Sequence, residues 1–203
     1  MGGLVESAIY RSVRAVVEKD ADQAQQVLKD EARINQMEIE IDELATRLLA
    51  LQQPMAMDLR FLTAALKINN DLERMGDLAV NIVERALSLM DEPGMKSLID
   101  IPRMAKRTES MVHNSLDAFV KGDTDLARSV LLADDEVDSL RDVVYEDLIA
   151  YMQKNPEFVR QGVNLMFVAR NLERLADHAT NIAEDVLFLV QGVDVRHHAE
   201  AHE

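Results

Sequence analysis

The chain has 203 residues, 48% of them hydrophobic, a formal net charge of −15 and no cysteine. That is enough apolar material for one large domain or two small ones, and the charge excludes a nucleic-acid backbone or an anionic membrane surface as the main partner, favouring a basic partner or cations. Disulfides, iron-sulfur clusters and thiolate zinc sites are excluded too, which suits a reducing compartment.

The elements follow in chain order from helical periodicity and its punctuation. Leu4, Val5, Ala8, Ile9, Val13 and Val16 keep a helical period almost from the first residue, predicting a helix over 3–19 that is natively short or cut. Asp20-Ala-Asp22 supplies an aspartate to cap a second helix, which runs to Gln52 before Gln53-Pro54. A third spans 56–90 and stops near Pro93-Gly94. The fourth opens within 99–102 and reaches Lys121, where Gly122-Asp123-Thr124-Asp125 gives both a stop and a new cap. The fifth ends at Lys154. Asn155-Pro156 then reads as a cap followed by proline at the first helical position of a sixth helix, which runs to Gln191. The tail, 192–203, is polar and expected to be disordered. No charged-then-apolar leader and no run of about 18 apolar residues occurs, so a cytoplasmic chain without a membrane span is expected.

The third and sixth helices carry one motif twice: DLERMGDLAVNIVER at 71–85 and NLERLADHATNIAED at 171–185. The start of the second helix is repeated as well, EKDADQAQQVL at 18–28 against VKGDTDLARSVL at 120–131. Asp20 recurs at Asp123 and Glu73 at Glu173, so the spacing shrinks from 103 to 100 residues. A turn three residues shorter in the second half is expected. The fold class that follows is all-α: two tandem antiparallel three-helix bundles related by internal duplication, over 1–92 and 97–191.

At 100° per residue, Glu73, Asp77, Asn81 and Glu84 fall at about 0°, 40°, 80° and 20°. Ile68, Leu72, Met75, Ala79, Ile82 and Ala86 cluster near about 210°, so the carboxylates point away from the core. The second half repeats this stripe. On the fifth helix Asp134 and Asp138 stand four apart with Asp135 beside them, and Glu31 and Asn35 correspond to them in the second helix. An acidic stripe opposite a core is ordinarily a solvated face. Against that reading, Asn70, Asn81 and Ser88 fill the gaps in place of lysine, and Leu62, Leu66 and Val80 flank the stripe. Hard oxygen donors four residues apart are what Mg, Mn, Ca or Fe ions prefer. His178 lies near about 140°, off the stripe, and is read as no ligand. Arg74 and Arg174 are read as partners of acidic residues on adjacent helices rather than as phosphate ligands. The eleven methionines are read as gap-filling core.

The duplicated E-R-x-x-D-x-A-x-N-I pattern, with its acidic second helix, resembles the PhoU family of bacterial phosphate-signalling regulators over residues 3–191. The resemblance implies a pair of three-helix bundles, often dimeric, and a cytoplasmic negative regulator that links the high-affinity phosphate transporter to a membrane sensor kinase. It also implies multinuclear metal binding at surface Glu/Asp-x-x-x-Asp motifs. Carried over by position, the metal candidates are Glu31, Glu73 and Asp77 in the first half, and Asp134, Asp138, Glu173 and Asp177 in the second, for iron, manganese, zinc or magnesium. Asn81 and Asn181 match the family's asparagine and would orient neighbours. The histidines of the tail, His197, His198 and His202, would collect only adventitious metal.

Two rival readings stay open. A carboxylate-bridged di-iron enzyme would need Glu-x-x-His pairs pointing into the bundle. The helices have none, and no nucleophile-base set or glycine-rich phosphate cradle appears, so no enzyme is expected. The other rival is a plain helical scaffold without metal.

Overall fold

A computed structural model describes residues 1–90, 92 and 100–192. Its helices are α1 (Gly2–Val17), α2 (Ala21–Gln52), α3 (Met57–Leu89), α4 (Ile101–Lys121), α5 (Thr124–Lys154) and α6 (Val159–Gln191), with a 3-10 turn at Pro156–Phe158. No strand occurs among the described residues. Pro93-Gly94 and the tail histidines lie outside them.

The duplication is legible in the caps. Asp20 accepts hydrogen bonds from the Asp22 and Gln23 amides at 3.0 and 3.1 Å, and Asp123 does the same for Asp125 and Leu126 at 3.1 and 2.9 Å. Each satisfies amide donors that the first helical turn leaves unpaired. Gly122 ends α4 at φ 65°, a left-handed conformation that costs glycine little. Asn155 behaves otherwise than expected: its side chain donates to the Tyr151 carbonyl at 3.0 Å and so closes α5, while Pro156 opens the 3-10 turn rather than α6.

The turn-length expectation needs correction. Residues 53–56 join α2 to α3 and residues 155–158 join α5 to α6, four in each case. The three residues missing from the second half come from the helix ends that flank its turn. Reversing the chain between neighbouring helices needs a minimum span, and a long helix loses a terminal residue more cheaply than a tight turn does.

Two antiparallel three-helix units result, α1–α3 and α4–α6, each packed around its third helix. Between the units, α3 and α6 form the most extensive helix pair of the molecule, α1 touches α4, and α2 and α5 flank the outside. Met75, Ile82, Leu172, Leu175 and Ile182 are fully buried along this spine, with Ala79, Ala176 and Ala179 between them. Burying each of the large side chains stabilises the fold by about 1.5–3 kcal/mol, and the alanines let the helices approach. Gly76 serves the same end on the α2 side, where an added Cβ would lie 3.2 Å from Ile34 Cγ2.

Polar side chains set the register of the spine. Lys67 Nζ reaches Asp185 Oδ1 at 2.7 Å near one end, and the Arg85 guanidinium lies over the Phe167 ring at 5.0 Å near the other. Residues 67 and 167 are repeat mates, as are 85 and 185, so these two contacts are one pseudo-twofold position filled with different chemistry. Between them, Asp71 Oδ1 meets His178 Nδ1 at 2.7 Å and accepts from Asn181 Nδ2 at 3.2 Å. The repeat mate of Asp71 is Asn171, so this network exists once.

Asp71→Ala should therefore cost about 1–3 kcal/mol in urea unfolding, because it removes a buried carboxylate that two partly buried hydrogen bonds hold across the joint, and a double-mutant cycle with His178→Ala should show coupling. Asn171→Ala should cost clearly less. Equal losses at the two positions would remove the network's role.

Candidate cation site on the acidic helix faces

In the second unit the structure brings all four predicted residues together. Asp134 and Asp138 project from one face of α5, Glu173 and Asp177 from one face of α6, each pair at the four-residue spacing that aligns side chains on a helix. Their mutual influence is evident in the acidities. The Asp134 carboxyl is pushed up from 3.8 to about 6, first by burial and then by the charges of Asp177, Asp138, Asp135 and Glu173. Burial raises Asp177 too, with Glu173 and Asp138 adding to the shift and His178 and Arg174 opposing it. A half-covered group near like charges ionises reluctantly.

Arg141 was not anticipated. Its Nη1 donates to Glu173 Oε1 at 2.8 Å and to Asp138 Oδ1 at 3.2 Å, bridging α5 and α6, while Nε and Nη2 hold Asp142 at 3.0 and 2.9 Å. The signal was available: position 141 lies three residues beyond Asp138 and seven beyond Asp134, hence on their face.

The first unit builds a related but different cluster. Burial raises the Glu73 pKa above its ordinary value, and Asp77 and Glu38 raise it further against the opposing charge of Arg74. Glu38 also escaped the sequence reading. It is the repeat mate of Arg141, so one position carries a cation in the second unit and a further carboxylate in the first. Glu31 is half-buried on α2 at the mate of Asp134, but among the described residues no side-chain hydrogen bond or ion pair ties it to Glu73 or Asp77.

Three other readings resolve as follows. Arg74 pairs within its own helix, with Glu73 at 3.5 Å and Asp77 at 3.7 Å, rather than with an adjacent one; the short reach along one helix face wins over the gap to α2. Asn181 faces α3 and serves Asp71, and Asn81 is exposed. His178 is off the stripe as expected and belongs to the α3–α6 joint.

As a metal site the arrangement fits in chemistry more than in geometry. Half-buried carboxylates that repel one another are hard oxygen donors, and a cation seated among them would add attractions that offset their mutual repulsion. Yet among the described residues no three His, Cys, Asp or Glu side chains stand as a ready ligand set. Arg141 already spans Asp138 and Glu173, and Arg74 sits beside Glu73 and Asp77. Asp134, Asp138, Glu173 and Asp177 would hold a divalent cation in the second unit, and Glu38, Glu73 and Asp77 in the first, after side-chain adjustment.

The pH consequence has a definite sign. Asp134 holds its proton more tightly in the folded chain than in the unfolded one, so its ionisation penalty is absent below pH 3.8 and complete above about 6. Its contribution to stability falls as pH rises through that window. Asp134→Asn should raise stability by about 1 kcal/mol at pH 7.5, a figure discounted for a half-exposed site, and leave it unchanged near pH 3.5. Urea unfolding across this range tests it; a gain of equal size at both ends would exclude the ionisation penalty.

The match to known proteins is close. The model of the family described as PhoU domain matches twice, over residues 1–86 and 101–186. A Pseudomonas aeruginosa protein named phosphate-specific transport system accessory protein PhoU homolog is 41% identical over 198 residues, 97% of this chain and 82% of the relative. A Caulobacter vibrioides protein of the same name is 41% identical over 96% of this chain and 85% of its own length. The crystal structure of PhoU from Pseudomonas aeruginosa superimposes with a TM-score of 0.92 at 40% identity, covering 95% of this chain and 93% of that one. That of the phosphate transport system regulatory protein PhoU from Streptococcus pneumoniae gives 0.88 at 29% identity, covering 96% and 91%. With the family's domain present in both repeats and the identity sustained over nearly the whole length, this chain belongs to the PhoU family.

Proposed function

We propose that this protein regulates phosphate transport by protein contact, as an accessory subunit that restrains uptake and the phosphate-starvation response. The observation that carries this reading is the pair of family domains, with relatives named as accessory proteins of the phosphate-specific transport system along 97% of the chain. No described helix is long and apolar enough to cross a membrane, so contact with a transporter would be made from outside the bilayer. We place the protein in the cytoplasm, as a homodimer, where it would meet the transporter's cytoplasmic components and a membrane sensor kinase.

The geometry suits such a role. A long packed spine holds two acidic faces at a fixed separation, and each face keeps carboxylates at a cost that a bound cation or a basic partner surface would relieve. In our reading a divalent ion, with iron, manganese, zinc and magnesium as candidates, sets the charge that each face presents to its partner. In this reading the protein acts by contact and not by catalysis, in keeping with relatives named as accessory proteins.

The test has two arms. In cells lacking the native regulator, the wild-type chain should hold phosphate uptake low under phosphate-replete conditions, and Asp134→Ala/Asp177→Ala should release it several-fold at equal protein level. In vitro, the wild-type chain ending at Gln191 should take up one of the candidate metals in elemental analysis and the double variant should lose it. Unchanged uptake in the double variant would remove the acidic face from the regulatory mechanism. Metal content equal in both proteins would remove the cation.

A further inference from the structure

The row of α6 that carries Glu173 and Asp177 changes character toward the start of the helix. Val159, Val163, Met166 and Arg170 precede the two acids at helical spacing, and Phe167 stands beside them. Val159, Val163 and Phe167 are 45%, 41% and 44% exposed, and Ile149 on α5 is 45% exposed. Met152 of α5 packs over Gly162, and the Tyr145 hydroxyl donates to the Met166 carbonyl at 3.3 Å, which brings the Ile149 stretch of α5 alongside this part of α6. The first unit is the control. The mates of Val163, Phe167 and Arg170 are Thr63, Lys67 and Asn70, and those of Tyr145 and Ile149 are Asp42 and Thr46. Lys67 is also bound to Asp185. The same backbone thus carries a polar row in one unit and an apolar, arginine-edged stripe in the other. Aromatic, methionine and arginine side chains on a contiguous apolar stripe are the composition of an interface centre.

Charge specifies the occupant. Arg85 reaches over the Phe167 ring from the α3 side, and Arg170 stands near Tyr145 on the α5 side. Among the described residues neither arginine forms an ion pair. The nearby carboxylates are engaged or turned away. Asp142 is held by Arg141, and Glu92 by Arg160 and Gln161. Glu146 lies about 100° round α5 from Tyr145, and Glu157 precedes the stripe in the 3-10 turn. In a chain of net charge −15 this stripe is therefore locally basic, and it ends where Glu173 and Asp177 begin. Val159 to Arg170 spans about 17 Å, or roughly three turns of a helix laid along it. A second copy offering the same stripe about a twofold axis would set arginines against arginines, which disfavours self-pairing. We propose that the stripe seats an amphipathic helix of a partner protein, apolar on its contact face and acidic along its edges. Glu173 and Asp177 repel the carboxylates of that helix and so set where it stops.

The test uses the full chain and fluorescence anisotropy with two labelled peptides that place leucine in i, i+3, i+4, i+7 spacing, one filled out with glutamate and the other with lysine. The overall charge attracts the lysine peptide to the whole surface, so the glutamate peptide reports the stripe alone. It should bind, and Val163→Asp and Arg170→Glu should each weaken it about tenfold with unchanged circular dichroism. Asn70→Glu, at the repeat mate of Arg170, should leave its affinity unaltered. Failure of the glutamate peptide to bind the wild-type chain, or equal losses from the changes at 70 and 170, would overturn the proposal. So would a wild-type dimer in sedimentation that Val163→Asp dissociates, because a second copy would then cover the stripe. None of these readouts involves phosphate uptake, so a failure here leaves the regulatory reading standing.

Discussion

Everything in this molecule depends on the burial of one helix pair. α3 and α6 run antiparallel, each is the third helix of its unit, and each buries one broad apolar side. A helix with so wide an apolar surface needs neighbours on several sides, and two flanking helices from its own unit cover only part of it. The other unit's spine covers the rest. The two repeats are thus not beads on a linker but halves of one core, and the polar contacts between Asp71, His178 and Asn181 fix how the halves align. Breaking such a joint costs more than the joint itself contributes, because its members give up water to form it.

The outward stripes inherit their geometry from that burial. Once the apolar side of α3 and α6 faces inward, Glu73, Asp77, Glu173 and Asp177 have one direction left, and α2 and α5 bring a second set of acids alongside. The resulting repulsion is tolerated, since like charges on exposed helix faces cost only a few tenths of a kcal/mol per pair. Partial covering makes the cost larger at Asp134, whose carboxyl is pushed up to about 6. A protein that acts through contacts gains from surfaces held in this state, because their free energy responds to whichever cation or partner arrives.

Much of this was legible in the sequence. Periodicity and punctuation predict six helices, and the repeated aspartate caps, Asp20 and Asp123, mark both second helices. The wheel separates Glu73 and Asp77 from Ile68 and Met75 correctly. What escaped has physical reasons. Glu38 and Arg141 stand seven residues beyond Glu31 and Asp134, a spacing that returns to the same face but falls outside a four-residue motif. The Asp71–His178 contact joins positions more than a hundred residues apart, and a wheel gives a side chain's direction without naming what lies there. Arg74 was assigned across a gap that its own helix bridges more cheaply. The turn was expected to absorb a deletion that the helix ends absorbed instead.

The exchange of Glu38 for Arg141 has a consequence beyond local charge. A tandem duplication begins with two interchangeable faces, and a partner meeting such an object could seat itself in either of two orientations. Here the backbone keeps its pseudo-twofold symmetry while positions 38 and 141 carry opposite charge, so the acidic faces differ in valence though they match in shape. The molecule is symmetric enough to be built from one blueprint, yet polar enough that its two faces are not interchangeable.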